Sequence, residues 1–124
     1  VMLKENHIRV AGSVGAAIAA ARTAQPGLPL VVEVETLDQL REALEAGCDR
    51  ILIDDFSADD RRQAVTIARA APWQGRIPLE VSGSVGLEGL RAIAEDGVDY
   101  VSIGGLTKHV QAIDLSMKLG PPPA

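Results

Sequence analysis

The sequence predicts an α/β fold in which parallel strands alternate with helices, and three observations carry that expectation. Short β-rich apolar runs recur along the 124 residues, each followed by an Ala-, Leu-, Arg- and Glu-rich stretch at helical spacing. Strand starts lie roughly 20 to 30 residues apart, the length of one β/α unit. Each run also has one apolar row and one row that turns polar toward its C-terminal end.

Val1–Lys4 reads as the end of a first strand, and a helix is expected over Gly15–Thr23 behind the capping residue Ser13. Leu30–Val34 is the second strand, followed by a helix over Leu37–Ala46 that starts at Thr36 and ends at Gly47. Arg50–Ile53 is the third strand, and Ser57 opens a helix over Ala58–Ala71. Leu79–Ser82 is the fourth strand, with a helix over Leu87–Glu95 that stops before Gly97. Tyr100–Gly104 is the fifth strand, and a last short helix is expected over Ala112–Leu119. The tail Gly120–Ala124 is Pro-rich and cannot continue a helix. Strict alternation implies parallel strands, because each helix returns the chain to the same edge.

That alternation fits an open doubly wound sheet or an arc of a β/α barrel, and side-chain parity decides between them. Leu3, Val32, Val34, Ile51, Ile53, Leu79, Val81, Val101 and Ile103 form the helix-facing row. The opposite row holds Lys4, Glu33, Asp54, Glu80, Ser82 and Gly104. Parallel strands are ordinarily apolar on both faces, and such a polar row is costly to bury without ligands or partners. It lies where barrel enzymes place their chemistry, at the C-terminal strand ends. The expected architecture is therefore an arc of an incomplete TIM-like (β/α) barrel with four to five units. A plainer reading of single residues is internal ion pairing, for example Lys4 with Glu33.

Two turns add a second signal. Ser82-Gly83-Ser84 and Gly104-Gly105 put small residues directly after a strand, where backbone N–H groups can approach an anion. In a barrel the phosphate site commonly follows the last two strands.

Composition excludes several classes. A formal net charge of -5 argues against a broad nucleic-acid surface, and three aromatics (Phe56, Trp73, Tyr100) are too few for a base-stacking platform. No apolar run reaches the ~18–20 residues of a membrane span. Cys48 is the single cysteine, which fits a reducing compartment and a cytoplasmic location. It reads as a small buried residue, not a nucleophile. His7 reads as a loop-fixing hydrogen-bond partner. His7 and His109 lack metal-ligand spacing, and Asp59-Asp60-Arg61-Arg62 reads as the charged first turn of a helix.

The same residues, taken as a set, resemble quinolinate phosphoribosyltransferases. Leu3-Lys4-Glu5-Asn6-His7-Ile8 with Ala11-Gly12-Ser13 is similar to the family's Lys-Asp-Asn-His segment. Val32-Glu33-Val34-Glu35 resembles its Glu-Val-Glu-Val strand, and Ile53-Asp54-Asp55-Phe56 its Leu-Asp-Asn-Phe strand end. Leu79-Glu80-Val81-Ser82-Gly83 is similar to its Glu-Ala-Ser-Gly-Gly turn, and Gly97–Ser102 with Gly104-Gly105-Leu106-Thr107 to its final strand and phosphate loop. Ala112-Ile113-Asp114-Leu115-Ser116 closes a likeness that runs from Val1 to about Leu119.

The resemblance implies phosphoribosyl transfer from phosphoribosyl pyrophosphate to quinolinate with decarboxylation. The products are nicotinate mononucleotide, pyrophosphate and CO2, and Mg²⁺ is required. It assigns Glu33 and Asp54 to the ribose hydroxyls and Mg²⁺, and Lys4 to the pyrophosphate or a quinolinate carboxylate. Ser82, Gly83, Ser84, Gly104, Gly105 and Lys108 fall to the 5′-phosphate, and Glu80 to structure. The chain departs from the family pattern at Val31, at Asp55 where Asn is usual, at Ser84 where a second Gly is usual, and at Lys108-His109 in place of His-Ser.

The resemblance also implies what should accompany these residues: a separate N-terminal domain, earlier strands with a Thr-Arg-Lys-Thr segment, an arginine from a neighbouring subunit, and a homodimer or higher homo-oligomer. With Val1 in first place and half a barrel's length, residues 1–119 are expected to be the C-terminal portion of such a barrel. Positive charge from Lys4 and Lys108 is too little for a dicarboxylate and several phosphates, so this chain alone is expected to be inactive. Two alternatives stand beside this reading: a related paralogue associated with molybdenum transport, and a non-catalytic barrel fragment.

Overall fold

The computed structural model describes residues 1–121; the end of the expected tail, residues 122–124, lies outside the described residues. In chain order the elements are β1 (Met2–Leu3), α1 (Glu5–Ala11), α2 (Val14–Ala24), β2 (Val31–Val34), α3 (Leu37–Ala46) and β3 (Arg50–Asp54). They continue with α4 (Ala58–Arg69), β4 (Leu79–Ser82), a 3₁₀ turn (Leu87–Gly89), α5 (Leu90–Glu95), β5 (Tyr100–Val101) and α6 (Gly105–Lys108).

All five strands are parallel, in the order β1-β2-β3-β4-β5. A doubly wound sheet reverses direction partway across; this one does not. Sequential order with right-handed crossovers places the helices on one face. The sheet does not close, so β1 and β5 are edges, and the architecture is an α/β arc consistent with part of a barrel.

Register confirms the parity reading. Leu3, Val32, Ile51 and Leu79 align across the strands, as do Val34, Ile53 and Val81 one pleat further on. Each of these is between 0% and 6% exposed. They pack against Val14, Ala17 and Ile18 of α2, Leu40, Ala43 and Leu44 of α3, Ala64 and Ala68 of α4, and Ile93 of α5. The three expected caps are formed: Ser13, Thr36 and Ser57 accept from the N–H groups of Ala16, Gln39 and Asp60 at 3.1–3.2 Å.

A motif repeats at the opposite, N-terminal end of the strands. Asp49, in Gly47-Cys48-Asp49, accepts the Leu30 N–H at 2.7 Å and an Arg22 N–H at 2.9 Å. Asp99, in Gly97-Val98-Asp99, accepts the Leu79 N–H at 2.8 Å and an Arg69 N–H at 2.8 Å. Each aspartate stands just before one strand and ties the start of the preceding strand to the helix that leads into that preceding strand. In the charged first turn of α4, Arg61 and Arg62 both reach Asp96, which is 8% exposed.

The structure corrects several expectations, the first being the fifth strand, which ends at Val101 and not at Gly104 because Gly104 opens α6. Glu5–Ala11 is helical although it was read only as a loop motif; its N-terminus is unusual, because the Lys4 N–H donates to His7 Nδ1 at 3.0 Å. Ala112–Leu119 contains no helix, and Val110, Ile113, Leu115, Met117 and Leu119 are 75–89% exposed. The reason is visible in the pattern: Ile113, Leu115, Met117 and Leu119 alternate with polar residues, a period of two that would split them between opposite sides of a helix and leave it no single apolar face. A short helix with nothing to pack on is also marginal in water.

Cys48 is buried, and burial pushes its thiol up to about 11. Less than about 1% of the thiol is therefore ionised at pH 8, and the thiolate is the reactive species. Ellman's reagent is expected to label native protein at least a hundredfold more slowly than urea-unfolded protein. Equal rates would mean that Cys48 is accessible.

Candidate functional site

The inward face of the arc has two tiers, and they differ in how well they satisfy themselves. In the lower tier Glu33, Leu52, Glu80 and Tyr100 align across β2 to β5. Glu33 is 7% exposed and bridges to Lys4 at 3.0 Å. Glu80 bridges to Arg50 at 2.9 Å and also accepts the Ser102 hydroxyl. The Arg50 guanidinium lies 4.1 Å from the Tyr100 ring centroid. Burial by itself would raise the Glu80 carboxyl, but hydrogen bonds from Ser102 and Arg50 outweigh it and hold the group below its usual value. Glu80 is thus a structural residue, tied into a network that leaves it no open face.

Lys4 reaches solvent, with a half-exposed side chain over the buried Glu33. The hydrogen bond to Glu33 raises its ammonium above the usual lysine value, with Asp54 adding a small attraction. Lys4 is therefore charged at every physiological pH, although its charge is already engaged. His7 contributes by accepting the Lys4 N–H, the loop-fixing role expected of it.

The upper tier is open. Asp54 and Ser82 pair at the C-terminal ends of β3 and β4, and neither side chain has a hydrogen bond or ion pair among the described residues. Just beyond them, the loops after β4 and β5 face each other across a cleft of about 840 Å³ whose lining includes Gly83, Ser84, Gly104, Gly105 and Lys108, together with the acidic Glu88. Lys108 folds back over its loop: a methyl built on Gly104 would stand 3.6 Å from Lys108 Nζ. An ammonium thereby lies beside Gly104, where α6 starts, which suits an anion.

One partner in this region was missed by sequence reasoning. Asp55 has φ +50 and its Oδ1 accepts the Ser84 N–H at 2.8 Å, while its own N–H donates to the Ser82 carbonyl at 3.2 Å. The Ser84 amide is therefore engaged, leaving its hydroxyl for a ligand. An Asp directly after a strand is a residue type that tolerates the left-handed region, which was the available signal. Arg50 was also overlooked on the inward face, where it neutralises Glu80.

The structure thus brings Gly83, Ser84, Gly104, Gly105 and Lys108 together at one cleft, with Ser82 at the strand end just before it and Lys4, Glu33 and Asp54 on or beside the neighbouring strands. Among the described residues no group of three or more His, Cys, Asp or Glu side chains is placed to hold a metal, and no helix is long and apolar enough to cross a membrane.

Comparison with known proteins matches this geometry. Residues 1–118 fit the family described as quinolinate phosphoribosyl transferase, C-terminal domain. The chain is 38% identical over 122 residues to a carboxylating nicotinate-nucleotide pyrophosphorylase of Rattus norvegicus, covering 96% of this chain and 40% of the relative. It is 36% identical over 118 residues to that of Mycobacterium leprae, covering 95% and 41%. A solved nicotinate-nucleotide pyrophosphorylase from Francisella tularensis superposes with a TM-score of 0.84 at 43% identity, over 93% of this chain and 39% of that one. The chain thus spans about two fifths of the length of these relatives. With its sheet order, inward polar row and paired glycine loops all in place, the chain belongs to the quinolinate phosphoribosyl transferase family, in its C-terminal domain.

Proposed function

We propose that this chain supplies the ribose- and phosphate-binding end of a quinolinate phosphoribosyltransferase site. The observation that supports the reading is the open upper tier: Asp54 and Ser82 at adjacent strand ends, below a cleft that faces Lys108 and the Gly83 and Gly104-Gly105 loops. In this reading the cleft takes the 5′-phosphate of phosphoribosyl pyrophosphate, with donors from the Ser82 and Ser84 hydroxyls, the glycine amides and Lys108. Asp54 accepts from a ribose hydroxyl. Its negative charge, with that of Glu33, favours the oxocarbenium character that develops at the anomeric carbon.

The reaction balances without a redox partner. The bond from the anomeric carbon to pyrophosphate breaks as the pyridine nitrogen of quinolinate bonds to that carbon. The 2-carboxylate then leaves as CO2, the electron pair of the broken C–C bond stays on the ring carbon beside the cationic nitrogen, and a solvent proton bonds to that pair. The donor set fits Mg²⁺ only in part: carboxylate oxygens suit a hard cation, yet Glu33 is engaged by Lys4 and leaves Asp54 as the open ligand. Mg²⁺ commonly binds through one or two carboxylates plus substrate phosphates, so Asp54 and the pyrophosphate would hold it together. When bound, the ion neutralises charge on the departing pyrophosphate.

Of the inward cations, Lys4 is paired with Glu33 and Arg50 with Glu80, leaving Lys108 to face several phosphates and a dicarboxylate. The reading therefore includes a second source of positive charge, from further barrel strands or from a homo-oligomeric neighbour at the open sheet edges, and places the protein in the cytoplasm. Titration calorimetry of the 124-residue chain with phosphoribosyl pyrophosphate and Mg²⁺ tests it. Binding is expected, weakened roughly tenfold in Lys108→Ala by loss of one charge-assisted contact, with no nicotinate mononucleotide formed on adding quinolinate. Absence of binding, or equal binding by Lys108→Ala, counts against it.

A further inference from the structure

Asp55 is left over from that assignment. It carries a positive φ of 50°, sits one residue beyond β3, and reaches across to the loop after β4. Its Oδ1 accepts the Ser84 N–H at 2.8 Å and fills the space beside Gly83, where a built methyl would meet it at 2.1 Å. Its N–H meanwhile holds the Ser82 carbonyl at 3.2 Å. These two bonds fix both flanks of Gly83 against the end of β3, across 29 residues of sequence.

We propose that Asp55 is the positioning residue of the anion cleft, and that its carboxylate lowers the cleft's affinity below what the same geometry would give with a neutral acceptor. The inference rests on the phosphate reading of the cleft. The hydrogen bond needs only an sp² oxygen, which an asparagine side chain presents equally well. The charge adds nothing to the loop's geometry, and it stands against the loop that is to hold an anion. Two like charges about 6 Å apart at a surface site repel enough to change affinity roughly three- to tenfold. Asp55 thus does two separable things: its oxygen holds the Ser84 amide, and its charge repels the ligand.

Titration of the 124-residue chain with inorganic phosphate, together with hydrogen exchange at the Ser84 amide, separates them. Asp55→Asn is expected to keep the Ser84 amide protected and to bind phosphate roughly three- to tenfold more tightly than the parent at low salt, a gain that shrinks in 0.5 M NaCl as screening removes the repulsion. Asp55→Ala loses charge and acceptor together. It is expected to exchange the Ser84 amide at least tenfold faster and to bind phosphate more weakly than Asp55→Asn. Equal phosphate affinity in the two variants, or no gain in Asp55→Asn, overturns the proposal. If none of the three proteins binds phosphate while the amide stays protected in the parent and Asp55→Asn, the hydrogen bond stands. Both the phosphate reading and the positioning role built on it then fall.

Discussion

Gly83→Ala is expected to reduce phosphoribosyl pyrophosphate binding roughly a hundredfold, a loss of about 2.7 kcal/mol, while lowering the melting temperature by several degrees without unfolding the chain. Gly83 has φ +110, beyond the small left-handed region that an L-residue tolerates. A β-carbon there would lie 2.1 Å from Asp55 Oδ1 and 3.0 Å from the Asp55 backbone nitrogen. Swinging the Asp55 side chain away relieves the first contact but releases the Ser84 amide, and it does not relieve the second. Rotating φ to an allowed value relieves both, but disturbs the bond from the Val85 N–H to the Gly83 carbonyl at 2.8 Å. Either route costs about 1–3 kcal/mol and moves amides and hydroxyls that must converge on one phosphate. Gly83 and Ser84 are exposed and only Val85 of the loop packs against the core, so the loss of stability stays within that local cost.

Gly104→Ala is the internal control. Gly104 has φ −60, and its added methyl would meet only the flexible end of Lys108 at 3.4 Å. A change within about threefold is expected there. Comparable losses in both variants, or parent-like binding by Gly83→Ala, would show that the loop after β4 does not hold the phosphate.

What the sequence made legible follows from the range of the interactions involved. Leu37–Ala46 and Leu79–Ser82 were read to the residue, because caps, glycine stops and periodicity are local signals. Parity, also local, placed Lys4, Glu33, Asp54 and Ser82 on the inward face. The Lys4–Glu33 pair could be named in advance because both residues were assigned to that face. Arg50–Glu80 spans 30 residues and Asp55–Ser84 spans 29; both depend on strand register, which no local pattern reveals. The Glu5–Ala11 helix was hidden for another reason. Its start is satisfied by a histidine three residues in, not by the Ser, Thr, Asp or Asn that usually marks one. At Ala112–Leu119 a last short helix was expected, while the alternating apolar residues pointed elsewhere.

Removing Asp49 and Asp99 together should destabilise the chain by about 2–6 kcal/mol, enough to unfold a large fraction of it if its stability is at the low end of the 5–15 kcal/mol common for domains. The cost comes from the groups left behind, not from the surface ion pairs. Leu30 and Leu79 are 1% and 0% exposed, and each gives its N–H to one of these carboxylates at a strand start. With alanine in place, each N–H loses its partner where water has little access, at about 1–3 kcal/mol apiece. The arginine contacts add little, since Arg22 and Asp49 are 38% and 50% exposed. Asparagine keeps an acceptor oxygen, so Asp49→Asn and Asp99→Asn should each lose less than half of what the alanine variants lose. The sign of the pH dependence follows from Asp49. The Leu30 N–H, and then Arg22, hold its carboxyl below the usual value. That stabilisation is complete above the unfolded carboxyl pKa near ~3.9 and is lost as pH falls through the lower folded value. Urea denaturation should therefore show the full gap between the parent and Asp49→Ala at pH 7, narrowing only below about pH 4. A gap under about 0.5 kcal/mol at pH 7, or one that persists undiminished in strong acid, would mean that the strand starts are held by something other than these carboxylates.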